Sequence, residues 1–295
     1  MKRSLILVIA AVLMWGTLAT AAKLLVGMMS NLCVSVYTCF FASVTLFLYN
    51  LITGNLKKLA TLPASILWRM VLIGSLGIFL CNTVFYAGTK RLPAQEALVI
   101  NELWPALTVI FSHFLLNEKL TIPKIIAILF SFAGIIIVVT NGSFDNLKST
   151  DPAGILYCVA AAVFYALYTV LGKREGYDKG IAVFIAFLAG FITALILALL
   201  RGEMIIPNKR ELAILIFNGT VSNALPFLCW AIAMDISNTA VLANMAYLTP
   251  VVSLFVTHYV LGEAITIYSV LGLVLVILGI LFQMYLQREK TETPA

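Results

Sequence analysis

Apolar residues run along this chain in long unbroken blocks separated by short polar breaks. Ten blocks stand out, at residues 4–27, 31–52, 66–89, 93–115, 121–140, 152–172, 180–200, 211–234, 238–261 and 265–286. Most are close to the ~20 residues that a helix needs to cross a hydrocarbon layer ~30 Å thick. The breaks carry turn and charge signals, such as Thr53-Gly54-Asn55, Asn117-Glu118-Lys119, Asn141-Gly142-Ser143 and Asp151-Pro152. Within each block hydrophobicity is continuous and does not alternate, which predicts helices and not the strands of a barrel. The first block follows Met1-Lys2-Arg3, as a signal peptide would. It is long for one, contains Trp15 and precedes nine similar blocks, so it reads as a retained span. The expected fold is an all-α membrane protein with ten transmembrane helices.

The second half of the chain repeats the first. Moved back by 145 residues, it sets Gly219 on Gly74, Pro250 on Pro105, His258 on His113, Glu263 on Glu118 and Thr266 on Thr121. Such residue types keep their spacing rarely by chance in a Leu/Val/Ile background. Five spans per copy is an odd number, so the second copy has to cross the membrane upside down. Two inverted five-helix repeats are a transporter signature, because copies related in this way can rock about a central site. The expected organisation is a first repeat over 1–140, a linker over 141–151, a second repeat over 152–286 and a tail over 287–295.

Composition and charge narrow the class further. Hydrophobic residues make up 62% of the chain and charged residues 11%, against about 25% charged in a soluble domain, which excludes a polar surface large enough for water. The net charge of +6 has no basic run behind it and reads as a topology signal, not as a nucleic-acid surface. With both termini inside, twelve Lys and Arg fall on the cytoplasmic side and six on the other, with Lys23 inside a span. That bias predicts a multi-pass cell-membrane protein with both termini cytoplasmic. The five cysteines are scattered through apolar blocks, so neither a disulfide framework nor a metal site is expected. No P-loop, hydrolase elbow, H-E-x-x-H or dinucleotide motif is present, and no cofactor or catalytic residue is assigned.

Polar groups inside spans are costly and therefore functional suspects. Glu102, in Asn101-Glu102-Leu103-Trp104-Pro105, is the one acid of thirteen placed near the midplane. Pro105 removes the backbone bond that residue 101 would accept and opens that turn. A carboxylate beside a broken helix suits a substrate ammonium or a proton, against the plainer reading of a buried acid bonded to a neighbouring hydroxyl. Tyr247 is its repeat counterpart, with Asn244 and Pro250 on the same helical face. Asn82 and Tyr86 share a face of span 3, and Asn223, Pro226 and Trp230 lie along one stripe of span 8. Trp15, Tyr165 and Tyr168 come from spans 1 and 6. Together with Trp104 these predict a central cavity with aromatic walls, a few amides and one acid, able to hold a cationic group by cation–π contact. Each aromatic alone reads equally well as packing. Pro105, Pro226 and Pro250 are expected kinks. Lys23 and Glu96 read as interface anchors, with an ion pair closing an outer gate as the sharper alternative. His113, His258, Glu118 and Glu263 read as end caps and loop contacts.

These features resemble the EamA-type transporters of the drug/metabolite transporter superfamily. The resemblance rests on Trp15-Gly16, on the glycine-bearing fifth helix of each half and on the matching half-ends Pro105…Leu116-Asn117-Glu118-Lys119-Leu120-Thr121 and Pro250…Leu261-Gly262-Glu263-Ala264-Ile265-Thr266. Asn101-x-Leu103-Trp104-Pro105 is similar to the aromatic amino acid exporter branch, where the position of Glu102 is often aromatic. The resemblance implies a cavity lined by spans 1, 3, 4, 6, 8 and 9, with spans 5 and 10 peripheral. It also implies export of amino acids, metabolites or toxic compounds.

The expected function is a secondary transporter that exports amino acids or related amines by alternating access. Its partners are a small-molecule substrate and the lipid bilayer, with a proton as candidate coupling ion and no nucleic acid. The alternative is an importer of a small cationic or nucleoside-like metabolite on the same fold. A membrane enzyme acting on lipid intermediates would need a polar cluster at headgroup depth, for which His113 with Glu118 is thin material.

Overall fold

A computed structural model of the chain describes residues 2–117, 151–236 and 248–292. Between these it describes residues 121, 122, 125, 126, 129, 130, 133, 134, 136, 137, 142, 242, 245 and 246. Among the described residues the regular elements are all helical. Seven helices are long and apolar enough to cross a membrane: Arg3–Val26, Asn31–Ile52, Ala64–Arg91, Ala94–Leu116, Pro152–Arg174, Lys179–Leu200 and Lys209–Ile236. They coincide with predicted spans 1–4 and 6–8 and are given those numbers below. Two more helices, Thr249–Leu261 and Ile267–Glu292, occupy the end of the ninth block and most of the tenth, the second running on past residue 286. The fifth block lies largely outside the described residues. The chain is thus a multi-pass membrane protein.

Local chemistry sets the helix boundaries. Span 2 starts where the Ser30 hydroxyl accepts from the Cys33 N–H, and span 7 where the Asp178 carboxylate accepts from the Ile181 N–H. Span 6 starts at Asp151, whose carboxylate accepts from the Ala153 N–H. Span 8 begins with a capping box between Asn208 and Glu211. Such caps satisfy donors that the first turn of a helix leaves open. At the C-terminal ends Asn117 (φ 55°) and Gly262 (φ 70°) take left-handed backbone at matching places in the two halves, which stops a helix by satisfying its last carbonyls.

Four of the described spans are interrupted or widened along their length. Span 1 is interrupted at Gly16-Thr17, where the Thr17 hydroxyl donates to the Met14 carbonyl at 2.6 Å. Span 4 is interrupted at Glu102-Leu103, between helices Ala94–Asn101 and Trp104–Leu116. Spans 3 and 8 each contain a stretch of wider π-helical turns, Ser75–Leu80 and Asn218–Ala224. Pro226 lies just past the second of these, in the first turn of the α-helical segment that continues it, and Pro105 and Pro250 both stand in the first turn of their helices. In span 4 the proline starts a new helical segment after the break.

Small residues let the helices approach closely. A Cβ at Gly74 would lie 2.4 Å from that of Ala186, and one at Gly219 would lie 2.7 Å from the Phe41 Cβ, the close packing that lipid-embedded helices rely on. Span 7 packs on span 2, span 1 on span 8, and span 6 on spans 3 and 4. Large apolar side chains such as Ile6, Leu72, Leu156 and Leu199 face outward, where acyl chains solvate them.

Ion pairs and backbone contacts sort the helix ends into two groups. At one end Lys58 pairs with Asp178 at 2.7 Å, Arg69 with Glu175 at 3.4 Å and Lys179 with Asp235 at 3.7 Å. At the other, Arg91 pairs with Asp151 at 2.7 Å, and the Lys23 ammonium donates to the carbonyls of Thr89 and Leu92. Span 1 therefore finishes at the Lys23 end, where span 6 starts. Span 3 runs towards that end, from Arg69 to Arg91, and span 8 runs away from it, finishing at Asp235 beside Lys179.

Candidate functional site

The break in span 4 turns Glu102 into the interior. The Glu102 N–H still donates to the Leu98 carbonyl at 2.9 Å, closing the first half-helix. The helix resumes at Trp104, with Pro105 in its first turn. Glu102 is only 4% exposed. It opens onto a small cavity of about 40 Å³ lined also by Trp15, Asn82, Asn101, Trp104, Tyr165 and Thr249, with Cys81 and Phe85 from span 3.

Aromatic rings wall this space on one side. Trp104 meets Tyr165 edge-on at 4.8 Å and Trp230 at 5.4 Å, and Trp15 lies 5.7 Å from both Phe227 and Trp230. Edge-to-face packing of this kind joins rings from spans 1, 4, 6 and 8 into one block. On its far side, towards Lys58, lies a second cavity of about 70 Å³. Tyr168, Thr169, Phe227, Trp230, Met234 and the Lys179–Asp235 pair line it. The aromatic block separates the two spaces.

Several buried polar atoms around these spaces have no hydrogen-bond partner among the described residues: Asn101 Oδ1, Glu102 Oε2, Thr249 Oγ1 and Trp230 Nε1. Buried polar atoms are normally bonded, and these atoms are placed to bond a ligand or water. A second group nearby is bonded through its amide nitrogens, although Asn218 Oδ1 also has no partner among the described residues. Asn82 Nδ2 donates to Asn223 Oδ1 at 3.1 Å, and Asn223 Nδ2 donates to the Asn218 carbonyl at 2.9 Å within the π turns of span 8. Asn218 Nδ2 donates to the Thr38 hydroxyl at 2.9 Å and to the Tyr86 hydroxyl at 3.0 Å.

Of the residues the sequence singles out, Trp15, Asn82, Asn101, Glu102, Trp104 and Tyr165 come together around the first space. Tyr168 and Trp230 line the second. Tyr86 and Asn223 belong to the bonded network, and Tyr86 points to Thr38 and Asn218 instead of towards Glu102. Asn244 and Tyr247 lie outside the described residues. Sequence reasoning missed Phe227, Thr249, Thr38 and Asn218. An amide inside a predicted span was a usable signal for Asn218, as it was for Asn223. The others carry none, because Phe and Thr are ordinary in lipid-embedded helices.

Lys23 and Glu263 both bond backbone groups at the start of span 4. The Glu263 carboxylate accepts from the Ala94 N–H at 2.7 Å and the Gln95 N–H at 3.1 Å. Glu263 is thus an end cap, but of a helix far away in the chain.

Comparison with known proteins decides the family. The description "EamA-like transporter family" matches residues 2–140 and again 152–285. The chain belongs to the EamA-like transporter family. Among its relatives is the uncharacterized transporter YyaM of Bacillus subtilis, 24% identical over 90% of this chain and 88% of that one. The aromatic amino acid exporter YddG of Ancylobacter novellus is 26% identical over 63% of this chain and 65% of its own. An S-adenosylmethionine uptake transporter of Rickettsia prowazekii is 23% identical over 87% and 83%. A solved crystal structure covers 99% of both chains with a TM-score of 0.77 at 21% identity, a likeness of fold. Family and relatives indicate a transporter and not an enzyme, acting on small molecules across a bilayer.

Proposed function

We propose that this chain is a secondary transporter that exports amino acids or related amines by alternating access, with the space beside Glu102 as its substrate site. The observation that carries this reading is a buried carboxylate oxygen without a partner, set among the indoles of Trp15 and Trp104 and the amides of Asn82 and Asn101. An ammonium supplies the donors that Glu102 lacks, and the rings take the apolar body of an amphiphilic molecule. A proton at the same carboxylate competes with that ammonium, which gives a route to coupling.

On this reading the chain forms ten spans in two inverted repeats, 1–140 and 152–286. The double family match, the opposite courses of spans 1 and 6 and of spans 3 and 8, and the paired caps at Asn117 and Gly262 support it. The Lys58 end carries Lys57, Lys58, Arg69, Lys173, Arg174 and Lys179. The positive-inside rule makes it the cytoplasmic end, with both termini on that side.

The test is transport in proteoliposomes. Glu102→Ala abolishes transport of an amine substrate, and Glu102→Gln removes its pH dependence. Full transport with unchanged pH dependence in both variants refutes the role. A second reading, uptake of a small cationic or nucleoside-like metabolite, is favoured by the uptake transporter among the relatives. Counterflow with aromatic amino acids against S-adenosylmethionine separates the two substrate classes. Accumulation in cells with and without the gene gives the direction.

A further inference from the structure

The half-helix Ala94–Asn101 begins without a cap of its own. Its N-cap residue is Pro93, which offers no side-chain acceptor. The first turn of any helix leaves N–H groups without intrahelical partners. Here the Glu263 carboxylate bonds two of them, with Oε1 on Ala94 and Oε2 on Gln95. The carboxylate comes from the other half of the chain, just past Gly262, whose positive φ turns it away from helix Thr249–Leu261. The negative charge also suits the positive end of the helix dipole.

A second tie lies at the same end of the molecule. The Lys23 ammonium ties the end of span 1 to the Thr89 and Leu92 carbonyls, and Leu92 and Ala94 are fully enclosed. The second cavity, beside the Lys179–Asp235 pair, lies towards the opposite end. The gripped half-helix is eight residues long, and its C-cap residue is Glu102. At the usual rise it is a rod about 12 Å long, joined to the rest of span 4 through the Glu102-Leu103 break. One end is held by Glu263 and the other carries Asn101 and Glu102.

We propose that Glu263 is a positioning residue for transport: its hold on the Ala94 and Gln95 N–H groups keeps the Lys23 end shut and fixes the half-helix that presents Glu102. Opening that end requires the carboxylate to let go, and the half-helix then carries Glu102 with it. The inference rests on the reading of the Glu102 space as the substrate site. It differs from a Lys23–Glu96 gate, because Lys23 is bonded to backbone carbonyls and the cross-chain tie is made by Glu263.

Cys81 lines the Glu102 space and reports on its access. The experiment uses full-length protein in which Cys33, Cys39, Cys158 and Cys229 are replaced by Ala. A membrane-impermeant maleimide is applied to right-side-out and to inverted membrane vesicles. Glu263→Gln keeps the shape of the side chain and removes its charge. Losing charge assistance in two bonds raises Cys81 labelling from the Lys23 end by about tenfold or more, and leaves labelling from the Lys58 end unchanged. Glu263→Asp, charged but shorter, gives a smaller rise. Unchanged labelling from the Lys23 end overturns the proposal. So does an equal rise from both ends, the mark of a loosened fold. No substrate is present, so this outcome is independent of the transport test on Glu102.

Discussion

Two kinds of buried polar residue stand side by side in this protein, and they answer to different demands. Asn218 is fully buried and bonded twice through its amide nitrogen, to Thr38 and Tyr86. Asn218→Ala takes a donor from both hydroxyls, which keep only the bond from Tyr86 to Thr38, and a stability loss of about 1–3 kcal/mol follows, measurable as a lower melting temperature in detergent. Asn101 Oδ1 has no partner among the described residues. Asn101→Ala therefore costs less stability than Asn218→Ala but weakens transport. Equal destabilisation by the two variants would show that Asn101 is a structural amide. Both asparagines, like Glu102, are legible in the sequence as polar residues within apolar blocks. Their division into bonded and open groups is not. Thr38 shows why: its hydroxyl becomes significant only because Asn218 comes within 2.9 Å of it from another span.

At the scale of the helix, interruptions and close approaches do the shaping. The Pro105 break was readable, since proline removes a backbone donor wherever it stands. The π turns of spans 3 and 8 were not, because no residue type marks them and they arise where neighbouring spans press on the helix. Gly77, inside the first π stretch, shows that pressure: a Cβ there would lie 2.1 Å from Tyr168 Cγ. Gly74→Ala meets the Ala186 Cα at 2.5 Å. Backbone cannot rotate away, so spans 3 and 7 are forced apart at a cost of about 1–3 kcal/mol. Gly172→Ala has open space around it and is neutral or stabilising by up to about 1 kcal/mol. Thermal melts of the two variants check the contrast, and a Gly74→Ala protein as stable as the parent would remove the close-packing account.

Across the whole molecule, a few polar ties between distant helix ends hold the arrangement together. Asp178 is one of them. Burial acts to raise its carboxyl, but the Lys58 ammonium and the Ile181 N–H outweigh burial and hold it below the ordinary aspartate value. Its contribution is therefore complete above the unfolded value of about 3.9 and is lost as pH falls through the lower folded value. Asp178→Asn is less stable than the parent at pH 7, and the gap closes on acidification below that range. A gap of constant size in pH-dependent melts would contradict this. What the sequence by itself determined is local and cumulative: where the apolar blocks lie, that they are helical, that the pattern repeats after 145 residues, and that one acid sits deep among them. Such properties follow from summing hydrophobicity and turn signals along a stretch of chain. Only the tertiary structure decided that Glu263 grips the start of span 4, that Asn82 meets Asn223, and that an aromatic block divides two spaces. In lipid, apolar surface gives helices little reason to choose one neighbour over another. The choice rests on steric fit at small residues and on single hydrogen bonds between residues remote in sequence, which no local pattern records.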